Sequence, residues 1–109
     1  MARDLNRGEI WLYSFRPPDK RRPVLILSRQ EVIALLDTVI VASITSTRRG
    51  SPSEVSVGID EGLKHDSAVN LDHLNTVDKH RLRNFVGTIS PEGMKRVCRA
   101  LAIATSCGD

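Results

Sequence analysis

A small, mainly β domain closed by one C-terminal helix is the fold class that this sequence predicts, and three observations carry it. Short apolar or alternating runs recur from Ile10 to Ile89, separated by Gly, Pro, Asn and Asp turn signals. The clearest helical period comes afterwards, with Ser90 as N-cap, Pro91 at the first position and Met94, Val97, Cys98 and Leu101 on one face. The length, 109 residues with 40% hydrophobic content, suffices for one core and is too short for two ordinary domains, so residues 1–109 are read as a single unit.

Each element follows from its residues. Asn6-Arg7-Gly8 supplies a turn, and Ile10-Trp11-Leu12-Tyr13-Ser14-Phe15 suits a pleated surface, which predicts the first strand. Arg16-Pro17-Pro18-Asp19-Lys20 breaks it, because prolines cannot donate to a ladder and hold the backbone extended. Val24–Leu27 and Val39–Ile44 are continuous apolar runs, expected as strands buried on both faces or crossing a barrel interior. Gln30–Leu36 between them predicts a short helical excursion. Thr47–Ser53 has loop composition, and Glu54–Ile59 alternates with period two, as a half-buried strand does. After the Asp60-Glu61-Gly62 turn, Ser67–Leu71 and Leu74–Val77 read as two short strands, Asp78–Leu82 as one helical turn and Asn84–Ile89 as the last strand. The helix then packs against a small barrel, with Met94, Val97, Leu101 and Cys98 expected in its core-facing stripe.

Composition excludes several classes. Apolar and charged fractions of 40% and 27% are those of a globular chain rather than a disordered one, and 4% aromatics imply an aliphatic core. Met1–Glu9 carries both signs of charge without an apolar stretch, so neither a signal peptide nor a membrane anchor is expected, and no run is long enough to span a bilayer. Cys98 and Cys107 lack metal-ligand spacing and disulfide density, which points to a reducing cytoplasm; His65, His73 and His80 are scattered, so no metal site is expected.

The net charge of +3 is modest, but its placement is not even. Arg16, Lys20, Arg21, Arg22, Arg48 and Arg49 fall in or beside two predicted loops, which concentrates positive field on one part of the surface. Lys20-Arg21-Arg22-Pro23 runs straight into the second apolar strand. A guanidinium offers planar, permanently charged donors suited to phosphate, and Pro23 restricts Arg22 to an extended backbone that helps aim it. Thr45 and Ser46 bring hydroxyls to the end of the third strand. Each has a plainer reading: a basic loop is a solvated edge, and hydroxyls at strand ends satisfy turn amides. Trp11, Tyr13 and Phe15 suit base stacking, although Trp11 is expected to fill the barrel or a subunit interface.

The ordered set Arg7-Gly8-Glu9-Ile10-Trp11, Arg22-Pro23-Val24, Val41-Ala42-Ser43-Ile44-Thr45, Asp66-Ser67-Ala68-Val69, Thr76-Val77-Asp78-Lys79 with Arg81-Leu82, and Gly87-Thr88-Ile89-Ser90-Pro91-Glu92 resembles the MazF/PemK toxin family. The resemblance spans nearly the whole chain. It implies an SH3-like barrel of the MazF/CcdB type, a homodimer, metal-independent and sequence-specific cleavage of single-stranded RNA by attack of the 2′-hydroxyl, and a cognate MazE-like antitoxin with an acidic tail. It further implies catalytic roles for Arg22 and Thr45, and base reading by the segment holding Asp72, His73 and Asn75. Those three depart from the family's commoner Glu-Gln-x-Arg pattern. Arg16, Lys20, Arg21, Ser46, Arg48 and Arg49 are carried as further RNA-binding candidates. The competing functions are a CcdB-like toxin that binds a topoisomerase and a barrel that binds RNA without cutting it.

Overall fold

The computed structural model describes residues 4–14 and 21–108. Phe15 and the first loop, with the candidates Arg16 and Lys20 and with Asp19, lie outside the described residues.

Among the described residues six strands form one antiparallel sheet: β1 (Glu9–Ser14), β2 (Arg21–Ile26), β3 (Thr38–Thr45), β4 (Glu54–Val57), β5 (Ser67–Asp78) and β6 (Leu82–Thr88), in the spatial order β4-β5-β3-β2-β1-β6. A four-residue helix, α1 (Gln30–Ile33), joins β2 to β3, and α2 (Pro91–Thr105) follows β6. The predicted excursion from Gln30 to Leu36 is thus helical only in its first half. Ser90 caps α2 as its sequence requires, its hydroxyl accepting the Gly93 amide at 3.0 Å.

Side chains alternate across the sheet into two cores. On one face Ile10, Leu25, Ala42, Ile44, Val55, Val69 and Leu71 pack with Val97 and Ala100 of α2. On the other, Trp11, Tyr13, Val24, Ile26, Val39 and Val41 gather with Leu5, Ile33, Val77 and Leu82. This double burial is why β2 and β3 read as unbroken apolar runs. Trp11 fills the second core, at 2% exposure. Cys98 departs from expectation: Val97 and Ala100 occupy the inner stripe of α2 while Cys98 is turned outward, where its thiol meets Arg7 Nη2 at 3.4 Å. The period places Cys98 one residue past the centre of that stripe, and the Arg7 guanidinium, also bonded to the Leu27 carbonyl, takes the space beside it.

The sheet curls until its two ends meet. A turn of 3₁₀ helix, Ile59–Glu61, follows β4 and lies against β6, where Gly62 and Gly87 permit the approach. A Cβ on Gly62, whose φ is +92°, would stand 2.3 Å from the Val86 carbonyl oxygen, so no other residue fits there.

The segments Ser67–Leu71 and Leu74–Val77, expected as two strands, are one long strand with a bulge. Ala42 pairs with Leu74 while the next residue, Ser43, pairs with Asn70, leaving Leu71, Asp72 and His73 without opposite numbers on β3. Polar residues interleaved at a bulge mimic a strand boundary in the sequence.

Candidate active site

The two residue types singled out for phosphate chemistry come from neighbouring strands. β2 and β3 pair through Ile26 and Val41, Leu25 and Ala42, and Val24 and Ser43. Continued by two residues, this register sets Arg22 opposite Thr45. On its other side Arg22 pairs directly with Tyr13 of β1. On that extrapolation Tyr13, Arg22 and Thr45 fall in one cross-strand row on the face that holds Trp11 and Val24, with the Tyr13–Arg22 pair inside a ladder and Thr45 beyond the end of one. The ladder between β2 and β3 stops at Val24, next to Pro23, which has no amide to donate. Beyond that point the strands are free to part, and the row opens to solvent.

Burial grades along the row. Tyr13 is 8% exposed, Thr45 is half-buried and Arg22 is exposed. Behind them Val24 and Ile26 have no exposure and anchor the β2 backbone. Among the described residues the Arg22 guanidinium has no hydrogen-bond or ion-pair partner, so its donors remain free for an anion. Thr45 Oγ1 accepts the Thr47 amide at 3.1 Å. That is the turn-satisfying role expected of a hydroxyl at a strand end, and it does not exhaust the group: a hydroxyl with one lone pair engaged still has its proton to donate. The amide fixes the oxygen and leaves the O–H for a ligand.

A cation that sequence reasoning left out of the site joins the row. Arg81, in the 3₁₀ turn Lys79–Arg81 between β5 and β6, stacks over the Tyr13 ring with its guanidinium carbon 5.2 Å from the centroid, and its Nη2 donates to the Ser14 carbonyl at 3.0 Å. The available signal was the basic run Lys79-His80-Arg81, whose position beside β1 depends on the pairing of Leu82 with Tyr13. The turn is held by Asp78, whose carboxylate accepts the His80 amide at 2.9 Å and contacts His80 Nδ1 at 3.0 Å. The bond from the His80 amide, then that from its side chain, lower the Asp78 pKa below its ordinary 3.8.

The remaining candidates disperse. Alternation puts Arg21 on the opposite face from Arg22, with its Nη1 donating to Asn84 Oδ1 at 2.9 Å. Ser46 follows β3 and is exposed. Arg48 lines a shallow hollow with Asp60, Glu61 and Asp66, acids that partly offset its charge. Arg49 is exposed, and its amide and that of Gly50 donate to Glu54 Oε1 at 3.0 and 3.1 Å. Asp72, His73 and Asn75 are all exposed on β5, in or next to the bulge beside Ser43. Asp72 accepts the hydroxyl of buried Ser53, and its amide donates to Asn70 Oδ1 at 2.9 Å, so the bulged backbone is pinned, with Leu71 in the core and Asp72 and His73 exposed. Among the described residues no three His, Cys, Asp or Glu side chains converge as metal ligands, and no helix is long and apolar enough to cross a membrane.

Residues 6–105 match the model of the PemK-like, MazF-like toxins of type II toxin–antitoxin systems. The chain belongs to the PemK/MazF toxin family. It is 39% identical over 103 residues to the probable endoribonuclease MazF5 of Mycobacterium tuberculosis, covering 93% of each chain. With the probable endoribonuclease MazF2 of the same species it shares 32% identity over 104 residues, 94% of this chain and all of the relative. The M. tuberculosis toxin MazF-mt6 superposes with a TM-score of 0.83 at 34% identity, covering 90% of this chain and 96% of that one. An endoribonuclease solved in complex with its cognate antitoxin, from a mycobacterial species, gives a TM-score of 0.86 at 26% identity, covering 97% and 99%. The family match spans every strand of the PemK/MazF fold described here, including the β2–β3 corner and the β5 bulge.

Proposed function

We propose that this PemK/MazF toxin is an endoribonuclease that cuts single-stranded RNA by attack of a ribose 2′-hydroxyl on its own phosphate, with Arg22 and Thr45 stabilising the transition state. The single observation that supports this most is that β2 and β3, paired from Ile26–Val41 to Val24–Ser43, carry Arg22 and Thr45 to the same end of the sheet, an unpartnered guanidinium and an oriented hydroxyl just past the last paired row. As the 2′-oxygen attacks, negative charge builds on the non-bridging oxygens, and fixed donors there lower the barrier. The nucleophile belongs to the substrate, and Arg22 supplies permanent positive charge, so the step requires no metal. Arginine stays protonated and is unsuited to removing the 2′-proton; charge stabilisation, or protonation of the leaving 5′-oxygen, fits its chemistry.

Around this centre we assign the bulged segment Asp72, His73 and Asn75 to base reading, where exposed polar side chains on a pinned backbone can meet unstacked bases. Arg16, Lys20, Arg21, Ser46, Arg48 and Arg49 supply general attraction for RNA rather than chemistry. The same positive field suits the acidic tail of a cognate MazE-like antitoxin, and the half-exposed apolar pair Ile40 and Leu74, diagonal neighbours on one face of β3 and β5, suits burial in a homodimer. The protein acts in the bacterial cytoplasm, where cutting transcripts arrests translation and growth.

Incubation of the purified protein with a long single-stranded RNA in excess chelator tests the reading. Discrete fragments with 5′-hydroxyl ends, lost in Arg22→Ala, are expected. Retardation of the RNA without cutting would replace the nuclease by a binder, and neither effect would leave the topoisomerase-binding alternative.

A further inference from the structure

Of the large apolar side chains that stand exposed among the described residues, Phe85 is the aromatic one. The residue is 46% exposed, against 2% and 8% for Trp11 and Tyr13. It pairs across the sheet with Trp11 and meets the indole edge to face, with centroids 5.7 Å apart and planes at 73°. The indole is fixed in turn, its Nε1 donating to Glu9 Oε1 at 3.0 Å. Phe85 is therefore an exposed ring on a rigid mount, unlike an aromatic on a mobile loop tip.

Its position carries the functional meaning. Trp11 and Tyr13 alternate onto the same face of β1, so Phe85 shares that face with Tyr13, Arg22 and Thr45. Two strand spacings and one two-residue step separate Phe85 from Arg22, roughly 12 Å, a span of a couple of nucleotides in an extended strand. Cations flank it. Arg81 lies over Tyr13 one row away, and Arg83, also exposed, occupies a bulge of β6. The Glu9 carboxylate accepts both the Trp11 indole N–H and the Asn6 amide at 2.9 Å, which holds the indole beneath Phe85 in place. An aromatic face bordered by arginines is the arrangement that holds single-stranded nucleic acid, the bases stacking and the phosphates meeting the cations.

We propose that Phe85, seated on Trp11, is a base-stacking subsite for single-stranded RNA beside the Arg22–Thr45 corner. The inference rests on the nuclease reading for its substrate class, and it extends the RNA track across β1 to the edge strand β6. It also accounts for β6 leaving an aromatic side chain uncovered at the sheet edge, where an apolar ring gains nothing from water.

Two measurements test it on the full-length toxin. The first is binding of a fluorescein-labelled single-stranded RNA oligonucleotide, spanning a mapped cut site, to wild type, Phe85→Ala, Phe85→Leu and Phe85→Trp in chelator. Phe85→Ala is expected to weaken binding about tenfold, equivalent to about 1.4 kcal/mol. Phe85→Trp should restore it, and Phe85→Leu should not. The second is steady-state cleavage of that oligonucleotide and of versions shortened on the 5′ or the 3′ side. The loss in Phe85→Ala should fall on KM and vanish for the version lacking the stacked nucleotide. Equal affinities for wild type and Phe85→Ala would overturn the subsite, as would full function of Phe85→Leu, or an altered oligomeric state in Phe85→Ala with RNA binding unchanged. Absence of cutting by wild type would instead defeat the nuclease reading, and the binding comparison would still decide the subsite.

Discussion

The β2–β3 corner and the bulged stretch of β5 are both exposed and both polar, yet they are built in opposite ways. At the corner, Arg22 and Thr45 lie just past the last paired row of β2 and β3, and the buried Val24, Ile26 and Val41 behind them anchor both strands in the core. In β5, Leu71, Asp72 and His73 have no opposite number on β3, and local bonds from Ser53 and Asn70 hold the chain instead. The contrast teaches where chemistry and recognition can reside on a small barrel. A reaction needs donors fixed to within a fraction of an ångström, which strands anchored in a buried core favour. Discrimination among bases has to change without disturbing the reaction, which a bulge allows. At and beside this bulge Asp72, His73 and Asn75 stand exposed.

Substitutions separate the two regions. The largest effect is expected from Arg22→Ala, a fall in cleavage rate of about 10²–10³-fold with the thermal midpoint unchanged, measured by single-turnover kinetics and calorimetry. Arg22→Lys should recover little, because a point charge does not reproduce a planar fork. Thr45→Val should lower the rate by about 10²-fold and also cost about 1 kcal/mol of stability, since the Thr47 amide loses its acceptor; Thr45→Ser should retain both. In β5 the sign of the result changes. Asp72→Ala or His73→Ala should alter which phosphodiesters are cut, read by mapping 5′ ends across a long transcript, with less than about a tenfold change in rate at the best site. An unchanged cut pattern in both variants would remove the bulge from recognition.

Two smaller effects lie outside that contrast. Ile40→Lys should convert a dimer into a monomer in light scattering, because one buried charge in an apolar interface is strongly unfavourable; a dimer that persists would move the interface elsewhere. The Asp78 carboxylate is stabilised in the folded chain, so its contribution is present above pH 3.8 and disappears as the pH falls below that value through the lowered pKa. Asp78→Asn should therefore flatten the acid limb of the stability curve slightly, with little effect at neutral pH on this exposed turn.

Much of the fold was legible because local chemistry and tertiary environment agree. Val24–Leu27 is apolar throughout since both faces are buried, and Ser90-Pro91 starts a helix since the cap and the missing amide are local facts. Cys98 was misread because a helical period cannot tell the centre of a stripe from its margin, and here Arg7 arrives from 91 residues away to occupy that margin. The long β5 was read as two strands because a bulge and a turn look alike without the partner strand. Arg22 and Thr45 were recognisable as candidates, but their common row depends on a register that pairs β2 with β3, and no spacing in the sequence encodes it. Arg81 was missed for the same reason, since its approach to Tyr13 depends on the pairing of β6 with β1.

The most direct measurement is a double-mutant cycle between Arg22 and Thr45 on cleavage of one mapped phosphodiester, using Arg22→Ala, Thr45→Val and the double variant. Groups that hold the same phosphate fail to add, and the double variant should be slower than Arg22→Ala by well under the full factor lost in Thr45→Val alone, a coupling of at least about 1 kcal/mol. Strict additivity, or an Arg22→Ala toxin cutting at the wild-type rate, would contradict the shared phosphate site.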